Sequence, residues 1–282
     1  MGQFSFDHGG LSLSVTFHPA RGREKAVLLY YHGGGLLFGS RDDLPRPYIH
    51  QLTEAGYHLL CMDYLLAPEC TLAQIHRSVD AGFAWFLHHR REDLGIGACP
   101  VFLFGRSAGA YLALNLANRL IRDGAHPPQG ILAFYGYHHF DHPFFRRPSP
   151  HYCAFPALSP RDLPCCGGSP RCCAPPESHF LLYVYARQQG AWVDMLRPDA
   201  GAPADWSVSD GELSRFPPTF LTASTADQDV PFSYSRALSQ LIPDQEFVVC
   251  HGVEHDFDRD PDLAQSREVY DRCVQWLDRH LI

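Results

Sequence analysis

A serine flanked by glycines directly follows one of the apolar runs of the chain. The stretch Gly105-Arg106-Ser107-Ala108-Gly109 comes after the run VFLF and opens a segment rich in alanine and leucine. A tight turn from strand to helix lifts a serine hydroxyl above the edge of a sheet, and glycine leaves room for the strained backbone. The helix that follows also directs its positive N-terminal dipole at the serine. By itself the motif also fits a plain glycine-bounded turn, but this context predicts that Ser107 is a nucleophile.

A run of glycines after another apolar segment could supply hydrogen-bond donors for the same reaction. His32-Gly33-Gly34-Gly35 follows the run AVLLYY. Because glycine has no Cβ, the backbone N–H groups of such a loop can turn toward an oxygen atom and stabilise negative charge on it. We expect the amides of Gly34, Gly35 and Ala108 to form an oxyanion hole, although a flexible glycine loop would show the same pattern.

A nucleophilic serine needs a base to accept its proton and a carboxylate to orient that base. After a G-x-S-x-G turn the acid comes first along the chain and the histidine second. Asp227 and Asp229 follow the apolar run PPTFLTAS, and His251 and His255 follow the run EFVVC. Asp227 is the predicted acid, with Asp229 able to take the same role. His255 is the predicted base because it lies deeper in its loop than His251.

Short apolar runs alternate with segments of helical period. The runs are too short and too unbroken for amphipathic helices and predict buried strands at 25–32, 57–64, 99–105, 130–136, 217–224 and 245–252. The helical segments are at 71–92, 107–124, 232–242 and from 261 to the end. This alternation predicts an α/β fold with a mainly parallel central sheet and helices on both faces.

The alternation stops between residues 137 and 216, where Pro, Gly, Cys and His are frequent around one helical stretch. A long irregular insert in a regular α/β chain is typical of a lid or a binding element. We therefore predict a single catalytic domain over residues 1–282, with residues 137–216 as a lid inserted in it. Lid aromatics are candidates to line the substrate pocket, although a core of the lid would use them equally well: Phe144, Phe145, Tyr152, Tyr183, Tyr185 and Trp192.

Four of these motifs together resemble the hormone-sensitive-lipase-like branch of the α/β hydrolases. They are the His32 glycine run, the segment Asp63-Tyr64-Leu65-Leu66-Ala67-Pro68-Glu69, the Gly105 turn and the terminal His255-Asp256-Phe257. The resemblance extends from about residue 25 to the C-terminus. It implies the α/β-hydrolase fold and esterase activity on short acyl esters, without a metal or an organic cofactor.

Two features depart from that branch. Members usually carry an acidic residue before the nucleophile, whereas this chain has Arg106. We expect Arg106 to pair with Asp63 or Glu69, because a cation beside the turn would otherwise be partly desolvated and unpaired. Members also carry a helical N-terminal cap, for which roughly 25 residues before the first central strand leave little room. The lid is therefore expected to come mainly from the insert.

The composition and charge of the chain limit the kinds of partner that it is expected to bind. The chain has 282 residues, 23 Lys and Arg against 31 Asp and Glu, and a formal charge of -8 without a basic run, so nucleic acid is not an expected partner. The first residues do not have the pattern of a secretory signal, and no apolar stretch is long enough for a membrane helix. The sequence thus favours a cytoplasmic protein that acts on a small-molecule ester, makes no membrane contact and allows a homo-oligomer.

Ten cysteines are present, and the clustered Cys165, Cys166, Cys172 and Cys173 lack the CxxC spacing that favours zinc. Reduced thiols are the expectation, with zinc and redox activity left open.

The predicted function is that of a serine carboxylesterase that works through an acyl-enzyme. Two alternatives remain: a peptidase or aminoacyl hydrolase with Glu177 or Asp194 as anchor for a peptide terminus, and a ligand-binding homologue without catalysis.

Overall fold

The computed structural model describes residues 1–124, 126–164, 168–196 and 206–281. Eight strands of this part form one sheet in the order β1-β2-β4-β3-β5-β6-β7-β8. In chain order the strands are β1 (Gly2–His8), β2 (Leu11–His18), β3 (Ala26–Tyr31), β4 (Tyr57–Met62), β5 (Val101–Arg106), β6 (Gly130–Phe134), β7 (Thr219–Ser224) and β8 (Gln245–Cys250). Strands β3 to β8 pair in parallel, and each coincides with one of the six predicted apolar runs, with β5 ending one residue beyond its run. The predicted α/β fold with a mainly parallel sheet is confirmed.

The first two strands were not among the predicted elements. They form an antiparallel hairpin, and β2 pairs antiparallel with β4 at one side of the sheet. The hairpin turns at Gly9 and Gly10, whose φ values of 59° and 81° suit a two-residue turn with positive φ at both positions. Strand β1 is largely exposed or half-buried. Both strands of the hairpin alternate apolar and polar residues, so a prediction based on continuous apolar runs does not include them.

Helices connect the strands and cover both faces of the sheet. They are α1 (Arg46–Glu54), α2 (Leu72–His89), α3 (Ala108–Asp123), α4 (Pro150–Cys153), α5 (Pro176–Gln189), α6 (Trp192–Met195), α7 (Asp210–Leu213), α8 (Phe232–Leu241) and α9 (Ala264–Arg279). The long helices α2, α3, α8 and α9 lie within the predicted helical segments. Helix α1 is short and begins after Pro45, and the sequence pattern did not indicate it.

The core lies on both faces of the sheet. Alternate residues of β3 enter two separate apolar clusters, because successive side chains of a strand point to opposite faces. One cluster includes buried residues of α2 and α3, and the other includes buried residues of α1 and α9. The carboxyl ends of the parallel strands therefore meet at one edge of a sheet that is fixed on both sides.

Residues 137–216 lie between β6 and β7, and we call them the insert. Its described part contains α4 to α7 and short 3₁₀ turns. Among the described residues no helix combines the length and the apolar character needed to cross a bilayer. Cys165 and Cys166 lie outside the described residues, so the prediction made for them has no structural counterpart.

Candidate active site

Ser107 lies at the sharp turn between β5 and α3. Its backbone has φ 53° and ψ −118°, a conformation that L-residues rarely adopt. Steric crowding at this turn requires glycine at both flanking positions. A Cβ on Gly105 would lie 2.1 Å from the carbonyl oxygen of Gly109, and a Cβ on Gly109 would lie 2.0 Å from that of Tyr31. The Ser107 amide donates to the carbonyl of Phe134 at 2.9 Å, which fixes the turn against β6.

The loops after β7 and β8 bring a histidine and a carboxylate to this serine. The Oγ of Ser107 is 2.8 Å from Nε2 of His255, and Nδ1 of His255 is 2.7 Å from Oδ2 of Asp227. The other oxygen of Asp227 accepts the amide N–H groups of Asp229 and Val230, both at 2.8 Å. Because a carboxylate can only accept, Nδ1 carries a proton and Nε2 of the neutral ring faces the serine. The three predicted residues therefore lie in one hydrogen-bonded chain.

The charge of Asp227 changes the basicity of His255. Burial by itself lowers the pKa of the imidazole, but the charge and the hydrogen bond of Asp227 outweigh burial and raise the pKa to about 9. Asp229 and Asp256 add smaller contributions in the same direction. The ring of Tyr135 also packs against the His255 ring, with 4.8 Å between the two ring centroids. His255 is thus held in one orientation and is a stronger base than a free imidazole.

The second candidate in each loop makes different contacts. Asp229 accepts hydrogen bonds from Tyr152 and Tyr183 of the insert. The backbone N–H of His251 donates to the side chain of Gln265, away from Ser107. The contact with His255 thus belongs to Asp227. The predicted catalytic roles of Asp227 and His255 remain predictions that rest on this geometry.

The glycine run lies next to the serine. A Cβ on Gly33 would be 3.4 Å from the Cβ of Ser107, and a Cβ on Gly34 would be 2.0 Å from the carbonyl oxygen of Phe38. Gly34 also has φ 96°, which only glycine adopts without strain. The amides of Gly34 and Gly35 donate to no acceptor among the residues that the structure describes. These two N–H groups, with that of Ala108 at the start of α3, remain the predicted oxyanion hole.

The expected partners of Arg106 are wrong. Asp63 binds Arg41 at 2.9 Å, and Glu69 pairs with Arg171 at 2.9 Å. Asp63 follows β4, which β3 separates from β5 in the sheet, so its carboxylate is not the one beside the turn. The pairing depends on which loops meet beside the serine turn, and the sequence around Arg106 does not show this.

Arg106 instead joins the serine turn to the loop that carries His255. Its Nη2 donates to Asp258 at 2.7 Å, its Nη1 donates to Asp43 at 3.3 Å, and its Nε donates to Tyr135 at 2.8 Å. Asp258 also accepts hydrogen bonds from Tyr135 and Tyr270. It is fully buried and lies three residues after His255, a position that the sequence reasoning did not single out.

Replacing Arg106 by glutamine is expected to lower the free energy of unfolding by about 3–5 kcal/mol, because the variant leaves Asp258 buried without its cation. Urea denaturation followed by circular dichroism measures this change. Arg122→Gln is the control, since Arg122 is exposed and lies 3.9 Å from Asp123; it should change stability by less than about 1 kcal/mol. Equal stabilities of the two variants would contradict the structural role of Arg106.

The aromatic residues of the insert differ in their surroundings. Tyr152, Tyr183, Trp192 and Phe145 are buried against one another, whereas Phe144 and Tyr185 are half-buried. Trp192 Nε1 donates to the carbonyl of Gly35 at 2.9 Å, and a Cβ on Gly35 would be 2.5 Å from the Tyr183 ring. The insert therefore contacts the glycine loop directly. That these aromatics line a substrate pocket remains a prediction.

The insert also carries the acidic residues considered as peptide anchors and the cysteines considered for metal binding. Glu177 and Asp194 are exposed, and Asp194 lies 3.8 Å from Arg146. Cys172 donates to Asp63 at 3.5 Å, and burial together with this carboxylate raises the pKa of its thiol to about 12. In the described ranges, no group of three or more His, Cys, Asp or Glu side chains could hold a metal ion.

Known proteins share this architecture. The model of a family described as "alpha/beta hydrolase fold" matches residues 28–164. A solved structure described as an alpha/beta hydrolase superfamily protein from Enterococcus faecalis is 30% identical over 95% of this chain and 96% of that one, with a TM-score of 0.83. The chain belongs to the α/β-hydrolase superfamily. The α/β-hydrolase fold that the resemblance implied is therefore confirmed.

Other similarities differ in extent. A protein of unknown function from Staphylococcus aureus is 29% identical, with full coverage of both chains and a TM-score of 0.86. The non-reducing polyketide synthase adrD of Penicillium rubens is 33% identical over 155 residues, which are 50% of this chain. The match with this chain covers only 6% of the length of that synthase. More distant structural neighbours, 15–21% identical, are named esterases, and at that distance the likeness concerns the fold.

Proposed function

We propose that this α/β hydrolase is a serine carboxylesterase that hydrolyses short-chain acyl esters. The observation that carries the proposal is the chain of hydrogen bonds from Ser107 through His255 to Asp227, at 2.8 and 2.7 Å. A strained serine at the end of a strand, a base within reach and a carboxylate behind the base are the parts that acyl transfer needs. The esterase names of several structural neighbours support the same reading.

In the proposed reaction, His255 accepts the proton of Ser107 while the serine oxygen attacks the ester carbonyl. Asp227 stabilises the imidazolium that forms. The amides of Gly34, Gly35 and Ala108 bind the negative charge that develops on the carbonyl oxygen. His255 then gives its proton to the leaving alcohol, and the acyl group stays on Ser107. Water that His255 deprotonates releases the acid and restores the serine.

The contacts of the insert favour a small acyl group. The Tyr183 ring crowds Gly35, and Trp192 is hydrogen-bonded to the same glycine. A carbonyl oxygen bound by the glycine amides would place the acyl carbons close to these rings. Bulky acyl chains would then need the insert to move, whereas an acetyl group would not.

A series of p-nitrophenyl esters from acetate to decanoate tests the proposal. We expect kcat/KM to be highest for the short acyl chains and to fall as the chain lengthens, because of the crowding near Gly35. Aminoacyl p-nitroanilides, assayed in parallel, report on the peptidase alternative. A maximum at decanoate would contradict the acyl preference. Turnover of the anilides without turnover of any ester would contradict the esterase itself.

A further inference from the structure

Asp229 connects the loop of the proposed catalytic acid to the insert. The hydroxyl of Tyr152 donates to both of its carboxylate oxygens, at 2.9 and 2.8 Å, and the hydroxyl of Tyr183 donates to one of them at 3.0 Å. The guanidinium of Arg187 lies 3.5 Å from the same oxygen. These three partners belong to α4 and α5. The carboxylate thus fastens two helices of the insert to the loop after β7.

The backbone of the same residue reaches Asp227. The amide N–H of Asp229 donates to Oδ1 of Asp227 at 2.8 Å, and so does that of Val230. Oδ2 of Asp227 faces His255. The orientation of the proposed catalytic carboxylate therefore depends on a backbone segment whose own side chain is held by the insert.

The insert holds the glycine loop as well. Trp192, on α6, donates to the carbonyl of Gly35, and the Tyr183 ring packs on that glycine. Tyr183 therefore contacts both loops, through its hydroxyl on Asp229 and through its ring on Gly35. A displacement of α5 would change the acid loop and the glycine loop together.

Arg187 makes this arrangement sensitive to the charge of Asp229. Its side chain is 1% exposed, and its guanidinium lies 4.8 Å from the ring of Phe144 and 5.1 Å from that of Trp192. Nε and Nη2 have no hydrogen-bond partner among the described residues. Asp229 is its carboxylate partner there. Removal of that charge would leave a buried cation among aromatic rings, a costly state that favours rearrangement of α5.

We propose that Asp229 is a positioning residue for the proposed esterase reaction, which holds Asp227 in its catalytic orientation by fastening the acid loop to Tyr152, Tyr183 and Arg187 of the insert. The inference rests on the proposed function and adds to it a role for the insert. In this role the insert helps to complete the geometry of the site. Asp229 itself touches neither the serine nor the histidine.

The test compares Asp229→Asn with the wild type and with Asp141→Asn, a control that removes an exposed carboxylate of the insert. For a p-nitrophenyl acetate substrate we expect kcat of Asp229→Asn to fall about 10- to 100-fold, as small displacements of catalytic groups do. KM should change less than about threefold, because the proposal concerns orientation rather than substrate binding. Asp141→Asn should retain the wild-type kcat.

NMR titration of the His255 imidazole provides a readout that does not need turnover. Asp229→Asn should lower the pKa of His255 and change its Nδ1–H signal, since the charge of Asp229 contributes to raising this pKa. If Asp229→Asn does not fold, Tyr152→Phe removes one contact and should show the same changes to a smaller degree.

The outcomes separate this inference from the proposed function. An active wild type and an Asp229→Asn variant with unchanged kcat and unchanged His255 signals, at whatever melting temperature, would overturn the positioning role. An inactive wild type would refute the proposed esterase. The Nδ1–H signal of His255 in Tyr152→Phe, which keeps the charge of Asp229, would then still show whether the contacts of Asp229 control the geometry of this loop.

Discussion

Replacing Ser107 by alanine is expected to lower kcat for p-nitrophenyl acetate by about 10⁶-fold, as the loss of the nucleophile does in serine hydrolases of this design. The Oγ of Ser107 is the group that faces Nε2 of His255. Without it the proposed oxyanion hole could still bind the carbonyl oxygen, but the proposed acyl-enzyme could not form. The rate of p-nitrophenol release, followed by absorbance, measures the loss of kcat.

The fold should survive this change. Alanine has the same backbone requirements as serine at φ 53°, and the amide of residue 107 keeps its hydrogen bond to Phe134. Ser235→Ala is the matched control, because Ser235 is buried and its Oγ has no hydrogen-bond partner in the described part of the chain. Activity of Ser107→Ala within tenfold of this control would refute Ser107 as the nucleophile.

Asp227→Asn is expected to lower the limiting kcat by about 10⁴-fold, because an amide can hold the His255 ring in the wrong tautomer. The variant should also change the pH profile. Burial lowers the pKa of His255, and Asp227 raises it to about 9 in the wild type. Since the imidazolium cannot accept a proton, kcat/KM of the wild type should rise with pH through a pKa above the ordinary value of about 6.5. In Asp227→Asn this rise should occur at lower pH.

Asp256→Asn is the control for the pH profile, because Asp256 is half-exposed, binds Arg259 and contributes less to the pKa of His255. Its acid limb should move only slightly and its limiting kcat should stay close to that of the wild type. An acid limb of Asp227→Asn that does not move, combined with near-normal turnover, would show that another carboxylate orients His255.

Much of this architecture could be predicted because it is encoded locally. The central strands are short apolar runs, the long helices have a clear period, and the turn at Ser107 needs glycines that the sequence displays. The order of serine, acid and histidine then follows from the order of the strands. The loop after β7 supplied both candidate carboxylates, Asp227 and Asp229, and the local pattern gave no structural reason to separate them.

The contacts between distant segments could not be predicted in the same way. Arg106 pairs with Asp258, which is 152 positions further along the chain, and nothing local marks that carboxylate as its partner. The role of Asp229 depends on Tyr152 and Tyr183 of the insert, where no regular pattern fixes the path of the chain. The β1–β2 hairpin was not predicted because both of its strands alternate apolar and polar residues and so contain no continuous apolar run.

Ser107 is tested most directly as the nucleophile by identifying the residue that an organophosphate inhibitor modifies covalently. The protein is incubated with diethyl p-nitrophenyl phosphate, digested and analysed by peptide mass spectrometry, with Ser107→Ala and Ser235→Ala treated in parallel. If Ser107 is the nucleophile, one diethylphosphoryl group is expected on Ser107 in the wild type and in Ser235→Ala, with esterase activity lost in proportion to the modified fraction. No such group is expected in Ser107→Ala. Inhibition of ester hydrolysis with the group on another residue would show that Ser107 is not the nucleophile.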